Sequence, residues 1–233
     1  MGQAMSNQKK IWDHFQSVGI NSFSLNQGRL EYLAKQLRPG TNVLNIGVGN
    51  GVLERLAVGK NVDIWSLDPS ELAIERLRST LGMAEKAQVG YCQTMPFSNE
   101  QFDVVVMSEV LEHLDETVFF KTLAEVHRVL RSGGRFIGTV PARERLEDAQ
   151  VVCPHCGEKF HRWGHIQAFD VGTLTEALRS NFKVDRIFEH FFIDWAAVGL
   201  IRKLQGLLKK LLSWRGIGTY GTCRNIFFEA IKK

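Results

Sequence analysis

Four residues suited to a buried strand, Val43-Leu44-Asn45-Ile46, run directly into Gly47-Val48-Gly49-Asn50-Gly51, and a helical pattern begins near Val52. This strand, glycine loop and helix constrain the fold more than any other stretch of the chain. Glycines at the first two loop positions allow a tight turn and a close backbone approach to a ligand, which a Cβ would obstruct. Taken alone, the loop is equally well read as a simple tight turn.

The unit repeats along the chain. Residues 62–67 form a second strand that stops at Asp68-Pro69-Ser70, and Leu72, Ile74, Leu77 and Leu81 follow at largely helical spacing. Residues 102–107 are almost uninterruptedly apolar, as a parallel strand covered on both faces should be, and a helix follows over 119–130. Arg131-Ser132-Gly133-Gly134 is a turn before a strand over 135–140. Beyond Pro141 comes a polar Cys/His-rich segment, then a helix over 171–180, a strand over 184–192 and a last strand over 225–231. Upstream, residues 8–37 read as helical around a polar break at 21–26 and stop at Pro39-Gly40. Alternating strands and helices imply a mostly parallel α/β sheet with helices on both faces, binding ligands beyond the carboxyl ends of its strands. One domain is expected, with an N-terminal helical cap over 1–40, a core over 41–141, a Cys/His insertion over 142–170 and C-terminal strands over 171–233 that enclose an amphipathic helix.

Composition narrows the function classes. With 44% hydrophobic and 23% charged residues, the 233-residue chain can bury one substantial core. Its 29 basic residues are interleaved with 25 acidic ones for a net charge of +4, which argues against a DNA-binding role and weighs against RNA. No run approaches the ~20 apolar residues of a membrane span, and the first residues lack a secretory signal, so the expected compartment is cytoplasmic. Met1-Gly2-Gln3-Ala4-Met5-Ser6 fits a short myristoylation pattern, although Met5 is an alternative start. Cys92 and Cys223 lie in strand-like surroundings while Cys153 and Cys156 form a CxxC beside histidines, a distribution that suits a reducing compartment and a metal site.

Asp68 closes the second strand 19 residues after Gly49, where a carboxylate can accept both hydroxyls of a ribose, or merely cap the next helix. A dinucleotide fingerprint would need a third glycine where Val52 stands. The stretch Val43 to Gly51 resembles the first motif of class I S-adenosylmethionine (SAM) methyltransferases. Met95-Pro96-Phe97, Phe102-Asp103-Val104-Val105-Val106 and Glu109-Val110-Leu111-Glu112-His113-Leu114 resemble later segments of that family, in the same order over residues 40–141. The resemblance implies a Rossmann-like seven-stranded sheet and SAM as cofactor. It implies a donor site built from Asn45, Gly47, Val48, Gly49, Asp68, Pro69, Cys92, Gln93, Ser108 and Glu109, with Asp68 on the ribose and the Cys92 backbone on the adenine. Two residues depart from the pattern: Asn45 replaces an acid, and Tyr91 replaces a frequent Asp. Asn45 is expected still to order a water through its side-chain oxygen.

A sulfonium methyl is already activated, so catalysis needs mainly alignment of the acceptor, with a base only for a hydroxyl or a protonated amine. His113 is the candidate base. Glu109, Glu112 and His113 also resemble the divalent-cation positions of ubiquinone-pathway O-methyltransferases, which makes Mg a second candidate cofactor; equally, Glu112 and His113 simply begin a helix. Cys153, Cys156, His161 and His165 supply two thiolates and two imidazoles, a set suited to a closed structural zinc site, with His155 as a competing ligand and free thiols as the alternative. Arg162, Trp163 and His165 would then face the acceptor.

Leu200, Ile201, Leu204, Leu207, Leu208, Leu211 and Leu212 lie at helical spacing with Arg202, Lys203, Lys209, Lys210 and Arg215 on other positions. Such a helix packs on the core, meets an anionic membrane peripherally, covers the acceptor, or joins a dimer. The expected activity is O-methylation of a small-molecule or glycan acceptor, free or lipid-linked. The rivals are a protein or RNA methyltransferase and a SAM-binding scaffold without turnover.

Overall fold

The computed structural model describes residues 27–192 and 224–233. The helical pattern over 8–26, the myristoylation pattern, the basic amphipathic helix and Cys223 fall outside the described residues.

Helix α1 (Gln27–Lys35) leads into β1 (Asn42–Ile46), α2 (Val52–Val58), β2 (Asp63–Asp68), α3 (Glu71–Leu81) and β3 (Ala87–Val89). Then follow β4 (Phe102–Ser108), a 3₁₀ turn at Leu111–His113, α4 (Glu116–Val129) and β5 (Leu130–Pro141). The insertion contributes a second 3₁₀ turn (Leu146–Ala149) and the short hairpin β6 (Gln150–Val152) and β7 (Lys159–His161). Helix α5 (Val171–Arg179), β8 (Phe182–His190) and β9 (Asn225–Lys232) complete the chain.

Seven strands form one sheet in the order β3-β2-β1-β4-β5-β9-β8. Pairings from β3 through β5 are parallel, and β9 runs antiparallel between β5 and β8. This is the Rossmann-like arrangement expected from the alternating pattern. Strand β3, only three residues long, and the β6–β7 hairpin carry too few side chains to announce themselves by periodicity. The Arg131-Ser132-Gly133-Gly134 turn lies inside β5, where the register with β4 shifts between Phe102 and Val104 and Gly133 takes a φ of 71°.

The strands that read as apolar runs are buried on both faces: Val104, Val105, Val106 and Met107 are at most 1% exposed. One cluster, with Phe102, Phe136, Phe182 and Phe228, packs under α4 and α5; the other, with Leu33, Val43, Ile64 and Leu77, packs under α1 to α3. Helix ends are fixed by side-chain caps from Ser70 to Ala73 N, Asp115 to Val118 N and a reciprocal Asp170–Thr173 box. Registry pairs Ile46 with both Leu67 and Met107, and Ser108 with Thr139, so the carboxyl ends of β1, β2, β4 and β5 share one edge. Among the described residues, no helix is long and apolar enough to cross a membrane.

Candidate active site

The glycine loop sits on that edge. Gly47, Gly49 and Gly51 all have positive φ, at 87°, 52° and 68°. A Cβ on Gly47 would lie 2.6 Å from Val110 Cγ2, and one on Gly51 would lie 2.6 Å from Leu77 Cδ2. Both the backbone conformation and the close packing therefore require glycine here. Val110 belongs to the segment after β4, so the loop is pressed against the turn that carries Glu112 and His113.

Asp68 anchors the loop from the side. Its Oδ2 accepts the Val48 N–H at 2.8 Å, and its Oδ1 accepts the Ser70 N–H at 2.8 Å. Helix α3 is capped by Ser70 rather than by Asp68. Burial pushes the Asp68 carboxyl up, opposed by these two backbone donors. Each oxygen keeps an acceptor position beyond its backbone partner, as a ribose diol would need. Pro69 is exposed beside it.

Asn45 reaches across to α2. Its Nδ2 donates to Glu54 Oε1 at 2.7 Å, and Ser66 Oγ donates to the same oxygen at 2.9 Å. Glu54 is fully buried and its Oε2 has no hydrogen-bond partner, so burial raises its carboxyl above the ordinary range. The acid missing from β1 has a counterpart on α2. Its trace in the sequence is one glutamate on the inward face of an apolar helix turn.

The Tyr91-Cys92-Gln93 loop lies along the same edge, with Tyr91 exposed and Cys92 half-buried. Gly90 N bonds Asp68 O at 3.1 Å, and Thr122 Oγ1 donates to Cys92 Sγ at 3.3 Å. Burial pushes the Cys92 thiol up. The following residues are held from α4, where Arg128 donates to the carbonyls of Met95 and Phe97, and Glu125 accepts from Met95 N.

Ser108 and Glu109 belong to a polar network at the ends of β4 and β5. Glu109, at a strained φ of 56°, accepts from Thr139 Oγ1 at 3.0 Å and from Asn225 Nδ2 at 2.9 Å, and pairs with Arg29 at 3.3 Å. Arg29 Nε also donates to Ser108 Oγ at 3.1 Å, which brings α1 onto the site. Arg29, Thr139 and Asn225 were not singled out by sequence reasoning. Each is one polar residue that gains meaning only through distant partners.

His113 lies in the 3₁₀ turn, 8% exposed, and its Nδ1–H donates to Gly164 O at 3.1 Å. Burial first, then the neighbouring His165, lowers its basicity to about 3. So weak a base is a poor proton acceptor near neutral pH, which counts against the role expected of it. The neighbouring Glu112 is 1% exposed with both carboxylate oxygens unpartnered. Burial, then the Glu109 carboxylate, holds Glu112 well above the usual range.

The expected Cys2His2 set is not assembled. The hairpin pairs Gln150 with His161 and Val152 with Lys159, which leaves Cys153 and Cys156 at the tip and His161 at the base. Three residues of strand separate Cys153 from the rung of His161, a rise of about 10 Å. His161 is buried and turned inward, whereas Cys156 is exposed. Among the described residues, the groups of three or more ligand side chains within 4.8 Å are Glu112, His113 and His165, and Glu144, His161 and His165; neither includes a cysteine. Glu109, taken up by Arg29, Thr139 and Asn225, belongs to neither group, so the cation trio expected from Glu109, Glu112 and His113 is not assembled either.

The fold is the Rossmann-like methyltransferase architecture. Residues 44–138 match the family model of a methyltransferase domain. The chain is 31% identical over 136 residues to the ubiquinone biosynthesis O-methyltransferase of Rhizobium leguminosarum, an alignment covering 55% of this chain and 52% of that protein. It thus spans about half the length of the curated relatives it matches. Among solved structures, an S-adenosylmethionine dependent methyltransferase from Mesorhizobium loti superposes with a TM-score of 0.62 at 16% identity, covering 88% of this chain and 98% of that one. The [4+2]-cyclase SpnF superposes with a TM-score of 0.60 at 18% identity, covering 88% and 81%. The same architecture therefore carries more than one chemistry.

Proposed function

We propose that the chain is a SAM-dependent methyltransferase that places the methyl group on an oxygen of a small-molecule or glycan acceptor. The observation that carries this reading is the joint between Asp68 and the glycine loop, in which one buried carboxylate fixes the Val48 N–H while keeping acceptor positions for a ribose. The residues fit the cofactor, because Gly47 and Gly49 keep the loop free of side chains beside the Asp68 carboxylate, whose oxygens each accept only one backbone N–H. When bound, SAM supplies an activated methyl that needs only an aligned nucleophile. Gly47 and Gly49 let the backbone approach, Asp68 holds the ribose, and the Cys92-Gln93 loop flanks the adenine. Ser108 and Glu109, fixed by Arg29, Thr139 and Asn225, close the site on the acceptor side.

Oxygen as the acceptor atom is supported by the O-methyltransferase relatives, about 30% identical over 136 residues. Replacing Asp68 by Ala should weaken SAM binding by roughly 1.5–3 kcal/mol, the range for hydrogen bonds to a charged group. Calorimetric titration measures it, and unchanged affinity removes Asp68 from the donor site. Release of S-adenosylhomocysteine over hydroxylated acceptors tests turnover. Binding without turnover over any acceptor class would instead identify a scaffold.

A further inference from the structure

We propose that Glu112, His113 and His165 form a binding site for a divalent transition-metal ion of the zinc class, held between the turn after β4 and the insertion. The assignment rests on these side chains and holds whether or not the chain transfers methyl groups.

The insertion reaches the turn through its backbone. Ile166 N and Gln167 N both donate to Glu112 O, at 2.9 and 3.1 Å, and the Gln167 side chain donates to Leu114 O. That docking places His165 against His113, with ring centroids 4.7 Å apart and planes at 78°. The ligand atoms of Glu112, His113 and His165 lie within 4.8 Å of one another. Around a tetrahedral zinc, ligand atoms at about 2.0–2.2 Å from the ion stand roughly 3.3 Å apart, so modest rotamer shifts close the site.

The proton positions suit a metal. His113 donates Nδ1–H to the Gly164 carbonyl, a bond that fixes the tautomer with the acceptor lone pair on Nε2. His165 Nδ1 bonds Glu144 Oε2, which by the same reasoning leaves its acceptor lone pair on Nε2. A carbonyl or carboxylate behind the far nitrogen is the usual support of a metal-bound histidine. His161 is a supporting residue of a different kind: its Nδ1 accepts the His165 N–H at 3.1 Å, and its Nε2 faces Glu144 Oε1 at 3.5 Å. Its proton therefore belongs on Nε2, toward the carboxylate that holds His165.

Glu112 supplies an independent observation. A carboxyl group that is 1% exposed with neither oxygen hydrogen-bonded is costly unless a cation satisfies it, and its oxygens lie within 4.8 Å of ligand atoms of both imidazoles. Two imidazoles and one carboxylate favour a borderline ion such as Zn²⁺ over Mg²⁺, which prefers an all-oxygen shell. Three protein ligands leave a coordination position open, unlike the closed four-ligand zinc site expected from the Cys/His spacing.

The test uses the untagged full chain carrying Cys153→Ser and Cys156→Ser, so that the hairpin-tip thiols take no part. After dialysis with zinc it should retain about one equivalent. The Co²⁺-substituted chain should show visible ligand-field bands without near-ultraviolet thiolate charge transfer. Adding His165→Gln or Glu112→Gln should weaken zinc binding at least 100-fold, and Glu144→Gln by about 10–100-fold, the usual loss for a supporting residue. The metal-free melting temperature serves as the control that each variant folds. Absence of zinc from the double-serine chain, or undiminished affinity in both the His165 and Glu112 variants, overturns the site. SAM binding without zinc uptake overturns it while sparing the methyltransferase reading, and zinc uptake without methyl transfer does the reverse.

Discussion

The two halves of the site are made in different ways. On the donor side, Gly47 to Gly51, Asp68 and the end of β4 lie on adjacent parallel strands, and their spacing follows from strand and helix lengths. On the other side, Glu112 and His113 meet His165 and Glu144 only because a polar insertion docks its backbone on the Glu112 carbonyl. A local, backbone-built site constrains the sequence at fixed intervals. A site assembled across fifty residues leaves no interval to recognise.

The most damaging change to the donor half should be Gly47→Val. The new side chain would need a φ near 87° and would meet Val110 Cγ2 at its first atom. The left-handed conformation and the overpacking together should destabilise the fold by about 2–5 kcal/mol and abolish measurable SAM binding. Gly82→Ala is the matched control, because φ is 65° there but nothing lies within 4 Å of an added Cβ. It should cost about 1–2 kcal/mol, the conformational part alone. Equal losses in urea unfolding of the two variants would mean that the Val110 contact is unimportant, and the two halves would then be less tightly joined than they look.

Much of the fold was legible for the reason that makes the donor half legible. Val104 to Met107 read as a strand because a parallel strand buried on both faces is apolar throughout. The register of β6 with β7 was not legible, and it separates His161 from Cys153 and Cys156. The CxxC and HxxxH spacings look like one ligand set only while the intervening chain is free to fold back. Once Val152 pairs with Lys159, the thiols lie at the tip and the imidazoles at the base. A long-range partner was likewise hidden at Asn45, whose amide nitrogen donates to Glu54 on α2.

That pair sharpens the comparison, because it places a nonlocal device inside the local half. Asn45→Asp restores the residue usual in the first motif of the resembling family, yet here it should be harmful. A carboxylate would replace the amide that donates to Glu54 Oε1 at 2.7 Å, and two acids in a dry site cannot both ionise. The expected loss is about 2–3 kcal/mol by chemical denaturation at pH 7. Combining it with Glu54→Gln should recover most of that loss, since the glutamine amide can donate to the new carboxylate. A double-mutant cycle with no coupling would show that the two residues act independently.

The smallest expected effect is that of Glu54→Gln alone, and its sign depends on pH. Glutamine keeps the oxygen that accepts from Asn45 and Ser66, and its amide replaces the Oε2 that has no partner. Burial raises the folded-state pKa of Glu54 above the ordinary 4.5, so above that pH the unfolded chain releases a proton that the folded chain retains. Stability therefore falls as pH rises from 4.5 toward the folded value, and the penalty persists at neutral pH. The glutamine variant escapes it. Its advantage should be near zero at pH 4 and grow to about 1 kcal/mol at pH 7–8, a rise in melting temperature of roughly 2–4 °C for a domain of this size. Thermal melts of both proteins across that range decide the matter: a gain that is flat with pH would mean that Glu54 is ionised in the fold, its charge satisfied by Asn45 and Ser66 alone.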